Sequence, residues 1–170
     1  MLEESVILEP HDEHGYPLHI VAKRYWHRAF ETNIDDPDAL TLIFLHATMF
    51  HKETWEPTIE QLFDLASVRG STVKIREAWA VDCPNHGESA LLNEKALQRP
   101  EFLHNCSSFE GFSFMNSPVP NSLAVTCEKY AQGVHQFLSA GPERGACVDF
   151  RTRNMVGIGH SLGGVAMYVF

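Results

Sequence analysis

Positive charge is scarce in this 170-residue sequence: 13 Lys and Arg stand against 22 Asp and Glu, a formal net charge of −9. Nucleic acids and anionic membrane surfaces are held by clustered Lys and Arg, so this balance argues against either as a partner. Long apolar runs are missing as well. Nothing approaches the roughly 18 consecutive apolar residues that a membrane span needs. The amino terminus, Met1-Leu2-Glu3-Glu4-Ser5-Val6, places acids early and has no cationic stretch ahead of an apolar one, so no secretory signal is expected.

Cysteine is sparse and scattered. Cys83, Cys106, Cys127 and Cys147 form no Cys-x-x-Cys pair, which excludes the usual zinc frameworks. Without a signal peptide they read as reduced thiols of an intracellular protein, with no disulfide framework and no functional role. Asn105-Cys106-Ser107 would matter as a sequon only in a secreted chain. Neither a metal nor a cofactor is expected. There is no internal repeat and no low-complexity segment. With 44% hydrophobic and 21% charged residues, the chain has enough apolar material for a globular core and too little polarity for disorder.

The order of elements then carries the reading. Val6–Leu8 and Leu18–Tyr25, separated by His14-Gly15-Tyr16-Pro17, predict an antiparallel strand pair. Glu31 to Asp38 reads as a polar loop. Thr41-Leu42-Ile43-Phe44-Leu45 is a continuous apolar run, as in a parallel strand buried on both faces. Trp55, Ile59, Leu62, Phe63 and Ala66 share one helical face, with Pro57 in the first turn and Gly70 as the stop. Ala78 to Val81 predicts a short buried strand. A second helical stripe runs through Leu123, Cys127, Tyr130, Val134, Phe137 and Leu138, capped by Asn121 or Ser122 and stopped by Gly141-Pro142. Asn154 to Ile158 is a last strand, and Val165 to Phe170 begins another helix. Strands alternating with helices predict an α/β fold with a mostly parallel sheet and flanking helices. Pro100 to Pro120 is a long irregular stretch containing Phe102, Phe109, Phe112, Phe114 and Met115. These aromatics line an acyl pocket or pack as a surface insertion; the sequence leaves both open.

Gly159-x-Ser161-x-Gly163 is the strongest chemical signal. It follows an apolar strand and opens a helix, the setting a nucleophile elbow demands. A serine at such a sharp turn adopts unusual backbone angles, and side chains at the flanking glycines would collide with the neighbouring strand and helix. The turn aims a helix amino terminus at the reaction centre, where unpaired N–H groups favour developing negative charge. Ser161 is therefore the candidate nucleophile, and the Leu162 backbone N–H a candidate oxyanion donor. One such donor is worth about 3–4 kcal/mol in acyl transfer.

Three motifs in order resemble the α/β-hydrolase superfamily: Phe44-Leu45-His46-Ala47, then Asp82-Cys83-Pro84-Asn85-His86-Gly87-Glu88-Ser89, then the elbow. The likeness runs from about Leu18 to the last residue. The middle motif is similar to an Asp-x-Pro-Gly-His-Gly-x-Ser signature, with Asn85 where glycine is usual. The first is similar to a His-Gly pair, with Ala47 in place of the glycine. Phe50-His51-Lys52-Glu53-Thr54-Trp55-Glu56-Pro57 resembles fungal members, some of which are peroxisomal lipases or serve secondary metabolism. The resemblance implies Thr48 as the second oxyanion donor, with Ala47 and Met49 as alternatives. It assigns His46 to holding loop shape. His86, on a loop at the carboxyl end of the sheet, is expected to be structural, not chemical, and His160 to project away from the nucleophile.

A serine needs a histidine to take its proton and a carboxylate to orient that histidine. In this superfamily both follow the serine, yet the nine residues after Ser161 contain no Asp, Glu or His. Residues 1–170 are therefore expected to form the amino-terminal part of a single α/β-hydrolase domain, ending just after the elbow. The carboxyl-terminal strands and helices would be missing, and the last strand left as an exposed apolar edge. The implied function is a serine hydrolase that cleaves a carboxylic ester or thioester of a small-molecule acyl substrate through an acyl-enzyme on Ser161. As this chain alone it is expected to be inactive. The alternatives are a non-catalytic remnant that binds a ligand or partner, and an acyltransferase or carbon–carbon bond hydrolase. An intracellular location, cytoplasmic or peroxisomal, goes with this reading.

Overall fold

In the computed structural model of the protein, residues 1–10, 16–68, 71–99, 125–144 and 148–169 are described. β1 (Leu2–Leu8) pairs antiparallel with β2 (Ile20–Trp26), as the two early apolar runs predict. β3 (Leu40–Leu45) lies parallel to β4 (Ile75–Val81) on one side and to β5 (Asn154–Gly159) on the other. An antiparallel pairing of β2 with β4 joins the two parts into one sheet of order β1-β2-β4-β3-β5. The sheet is mixed: two of its four pairings are parallel.

Successive residues of a strand face opposite sides, and both sides of β3 and β4 are covered. Ile43, Leu45, Trp79 and Val81 face one core, together with Tyr130, Val134, Phe137 and Phe150. Leu42, Phe44, Ala78 and Ala80 face the other, against Tyr25, Phe30, Ile59 and Phe63. Coverage on both faces is why these strands read as unbroken apolar runs. Within the first core Trp79, Phe137 and Phe150 form a mutual cluster, with ring centroids 5.3 to 5.5 Å apart. Each such aromatic pair adds about 0.5–1.5 kcal/mol beyond its burial.

Four helices flank the sheet among the described residues: α1 (Glu56–Ser67), α2 (Gly87–Leu97), α3 (Cys127–Ser139) and α4 (Leu162–Val169). α1 carries Pro57 in its first turn and buries Ile59 and Phe63 one turn apart, as its periodicity predicts. The Thr126 side chain caps α3 by accepting the Lys129 N–H at 3.2 Å. The caps expected at Asn121 or Ser122, the stop at Gly70 and the Pro100–Pro120 stretch lie outside the described residues.

Three features differ from the sequence reading. β4 begins at Ile75, not Ala78, because the charged pair Arg76 and Glu77 is buried inside the strand. The Glu77 carboxylate takes Arg24 at 2.5 Å on one side and the Arg153 guanidinium on the other. α2 was not expected. Its buried residues are Ser89, Asn93 and Leu97, a mostly polar stripe that hydrophobic periodicity does not register. The polar side chains replace ladder partners for backbone leading into and starting β2: Ser89 Oγ accepts the Val21 N–H at 3.1 Å, and Asn93 Oδ1 accepts the His19 N–H at 2.7 Å. Part of the expected loop from Glu31 to Asp38 is wound into a short 3-10 helix, Arg28–Asn33. β5 forms the sheet edge among the described residues, and its Met155 and Val156 are exposed, as the apolar-edge expectation had it.

Candidate active site

At the end of β5 the chain turns sharply into α4. The His160 N–H continues the pairing with β3 by donating to Leu45 O at 3.1 Å. The Gly163 N–H then donates to His160 O at 2.9 Å, and the Val165 N–H to Ser161 O at 3.0 Å. Ser161 sits between them with φ +51°, a left-handed conformation that costs a non-glycine residue about 1–2 kcal/mol. Both glycines of the motif are required by close backbone. A Cβ at Gly159 would stand 2.5 Å from Gly163 O. One at Gly163 would overlap Leu45 O and come within 2.7 Å of His46 O. The same approach seats the start of α4 directly on the end of β3, beside the loop that follows it. Ser161 is exposed, and its hydroxyl makes no hydrogen bond among the described residues.

That neighbouring loop is clamped to the one after β4. The His46 ring is buried, with Nδ1–H donating to Ala47 O at 2.8 Å and Nε2 accepting the Cys83 N–H at 2.9 Å. Its backbone N–H reaches the Tyr130 hydroxyl at 3.3 Å, which itself donates to Val81 O at 2.8 Å. With both ring nitrogens occupied, and burial holding its pKa below the usual histidine value, His46 is a neutral brace and not a proton carrier. The Asp82 carboxylate lies 3.6 Å from Nε2, a contact without a proton between the two. His86 is bound in the same manner. Nε2 accepts the Met49 N–H at 2.9 Å, Nδ1–H donates to Asn85 Oδ1 at 2.7 Å, and burial lowers its pKa. Asn85, standing where glycine is usual, thus orients the ring. It also accepts from Cys83 Sγ at 3.1 Å, and burial pushes that thiol's pKa far up, consistent with an inert cysteine.

The oxyanion candidates follow from these bonds. Among the described residues, the Leu162 N–H at the start of α4 and the Thr48 N–H at the tip of the loop have no hydrogen-bond partner. The Met49 N–H is taken by His86, so that alternative is occupied in this conformation. Ala47 is buried, whereas Thr48 is exposed.

The sequence matches the Alpha/beta hydrolase family over residues 42–169. The chain belongs to the α/β-hydrolase family. A crystal structure of the peroxisomal alpha-beta-hydrolase Lpx1 from Saccharomyces cerevisiae is similar in fold. It shows a TM-score of 0.53 and 20% identity, covering 96% of this chain and 38% of that one. This chain thus spans well under half the length of the yeast protein. No curated protein matches by sequence.

Sequence reading singled out Asp82 only as part of the second family motif; in the structure it is a hub. Oδ1 accepts the Lys52 N–H at 2.8 Å, and Oδ2 accepts Lys52 Nζ at 2.9 Å and the Glu88 N–H at 3.1 Å. Gly87, at φ +54°, leaves room for it, since a Cβ there would lie 2.5 Å from Oδ2. Burial works against the Lys52 ammonium, but Asp82 and Glu53 outweigh it and raise its pKa. Asp82 is therefore committed to holding the loop of this α/β hydrolase, not to orienting a base. Among the described residues no imidazole bonds to Ser161. His160 turns toward Phe50, ring centroids 6.3 Å apart. A cavity of about 180 Å³ opens beside the elbow, lined by His46, Ala47, Phe50, Thr54, Trp55, Thr58 and His160. Among the described residues no three His, Cys, Asp or Glu side chains gather as a metal-ligand set, and no helix is long and apolar enough to cross a membrane.

Proposed function

We propose that Ser161 is the nucleophile of a serine hydrolase acting on a carboxylic ester or thioester. The observation that carries this reading is the left-handed backbone of Ser161, set between two glycines that the adjoining backbone requires. A strained serine at a strand-to-helix turn is what holding a hydroxyl outward at a helix amino terminus calls for. In this reading Ser161 Oγ attacks the acyl carbonyl and the Leu162 and Thr48 N–H groups receive the negative charge on its oxygen. Collapse expels the alcohol or thiol and leaves an ester on Ser161, which water then hydrolyses. The serine proton goes to a histidine that, by the order of the family, follows the serine in sequence and is oriented by an acid. The cavity beside the elbow, with Phe50 and Trp55 in its wall, offers a small acyl group an apolar surface. A cytoplasmic or peroxisomal site of action belongs to the same proposal.

One observation favours a second reading. The Ser161 hydroxyl makes no hydrogen bond to a base among the described residues, as in a remnant that binds a ligand or partner without turnover. Fluorophosphonate labelling separates the two, because the probe reacts only with an activated serine. The protein isolated from its own cells is expected to label, and its Ser161→Ala variant not to. Equal labelling of both would overturn the assignment of Ser161, and absence of labelling in both would favour the remnant. The 170-residue chain alone is expected to stay unlabelled. Product analysis with ester, thioester and diketone substrates distinguishes hydrolysis of an ester from acyl transfer or carbon–carbon cleavage.

A further inference from the structure

The loop between His46 and Lys52 contains a turn whose conformation depends on one side chain from elsewhere. The Phe50 N–H donates to Ala47 O at 3.2 Å, making Thr48 and Met49 the two central residues of a β-turn. Met49, the second of these, has φ +67°. A positive φ there is what a type II turn requires, and glycine or asparagine normally supplies it. Type I and type II turns differ by a flip of the central peptide, here the one between Thr48 and Met49. Its N–H is that of Met49, and the acceptor that fixes its direction is His86 Nε2 at 2.9 Å. The Met49 side chain cannot hold the turn, being 89% exposed.

We propose that His86 is a positioning residue for the acyl-transfer site: as acceptor of the Met49 N–H it holds the Thr48–Met49 peptide in its strained orientation, and protonation of the ring releases it. The proposal rests on the reading of Thr48 as an oxyanion donor. The chemistry is simple. Neutral His86 has one donor nitrogen and one acceptor, and Asn85 Oδ1 fixes which is which by taking Nδ1–H. A proton on Nε2 sets N–H against N–H, so the bond to Met49 is lost and the strained φ loses its compensation. Among the described residues, two titratable groups act on the ring. Burial is the main influence against the proton, His46 with its ring centroid 5.4 Å away adds to it, and Asp82 favours the proton; the balance lowers the pKa of His86 and keeps it neutral near pH 7. His86 touches neither the nucleophile nor the leaving group. It acts through the turn.

Imidazole ¹⁵N spectra of the protein report which ring nitrogen carries the proton and when the second one binds. The expected result is the Nδ1–H tautomer at pH 8, with the Met49 amide resonance following the His86 titration at a midpoint below about 6.5. His86→Gln offers an amide oxygen to the same N–H and does not titrate. It should hold the Met49 amide near its neutral-pH position and remove its pH dependence, while His86→Leu should displace that resonance at every pH. An Nε2–H tautomer at pH 8, or a Met49 titration that persists in His86→Gln, would overturn the proposal. Fluorophosphonate labelling of the protein and its variants as isolated from its own cells supplies the second readout. The Gln variant should label within about threefold of the unsubstituted protein and the Leu variant at least tenfold more slowly, with the acid-side fall in rate shifted in the Gln variant. Equal rates for Leu and Gln would also overturn it. Should the unsubstituted protein fail to label, the hydrolase reading falls, and the spectra alone decide whether His86 latches the turn.

Discussion

Lys52 and Asp82 meet inside the protein with ammonium and carboxylate 2.9 Å apart and neither side chain more than 1% exposed. The pair ties the loop after β3 to the loop after β4 at the edge of the candidate site. A buried charge left without its partner is costly, so removing one member does more harm than removing both. Lys52→Met is expected to lower stability by about 3–5 kcal/mol in urea unfolding. The double variant Lys52→Met/Asp82→Leu should recover only part of that loss. Asp82 also accepts the Lys52 and Glu88 backbone N–H groups, which the leucine would leave unbonded. A single-variant cost below about 1 kcal/mol would show the pair to be solvated like a surface bridge.

Acid should loosen the same region. Burial holds both His46 and His86 below the ordinary histidine pKa, and each ring uses one nitrogen as an acceptor that a proton would block. The unfolded chain therefore takes up protons near pH 6.5 while the folded chain still resists them. Stability from these two groups is complete above about pH 6.5 and is lost as pH falls through their folded values, at no more than about 1.4 kcal/mol per pH unit for each. Urea midpoints taken between pH 7.5 and pH 5 should fall accordingly. The fall should be shallower in His46→Gln. An unchanged midpoint across that range would mean the rings are free to take protons in the folded state.

The parts of this molecule that show in its sequence are those where one residue type can do one job. β3 reads as a buried strand because every side of it meets apolar side chains, and the elbow reads as an elbow because only glycine fits against Gly163 O and Leu45 O. What stays hidden is structure held by polar groups in the interior. Ser89 and Asn93 turn α2 inward to bond the backbone of His19 and Val21, and a hydrophobic pattern is blind to that. Arg76 and Glu77, being charged, fall outside the apolar run that predicts this strand until Arg24, Arg153 and the carbonyls of Ile34 and Asp36 are brought to them by the fold. The same holds at the site. Ser161 and Leu162 follow from local spacing, whereas the roles of Lys52, Asp82 and His86 exist only once two loops far apart in sequence are laid side by side.

Adjacent glycines in α4 make a paired test of the elbow's geometry. A Cβ at Gly163 meets the backbone oxygens of Leu45 and His46, atoms fixed by the sheet. One at Gly164 finds Gly159 O at 3.4 Å, an ordinary contact. Gly163→Ala is thus expected to destabilise by about 1–3 kcal/mol through forced displacement of α4 from β3. Gly164→Ala should be neutral or stabilise by up to about 1 kcal/mol, since alanine is the better helix former. In thermal melts the Gly163 variant should fall below the unsubstituted protein and the Gly164 variant should match or exceed it. Equal effects would mean that α4 does not sit against the end of β3.

Strain at the nucleophile predicts a gain in stability when function is removed in a particular way. Ser161 carries φ +51°, which glycine adopts freely and residues with a Cβ do not. Ser161→Gly removes both the hydroxyl and the steric conflict, whereas Ser161→Ala removes the hydroxyl and keeps the Cβ. The glycine variant is expected to be more stable than the alanine variant by about 1 kcal/mol, a rise of about 2–4 °C in Tm for a chain of this size. Glycine's larger unfolded-state entropy works against that gain, so a difference of the stated sign is the more telling result. Both variants should be refractory to fluorophosphonate. A glycine variant less stable than the alanine one would mean that the left-handed turn at Ser161 stores no strain, and the physical case for the elbow would lose its main support.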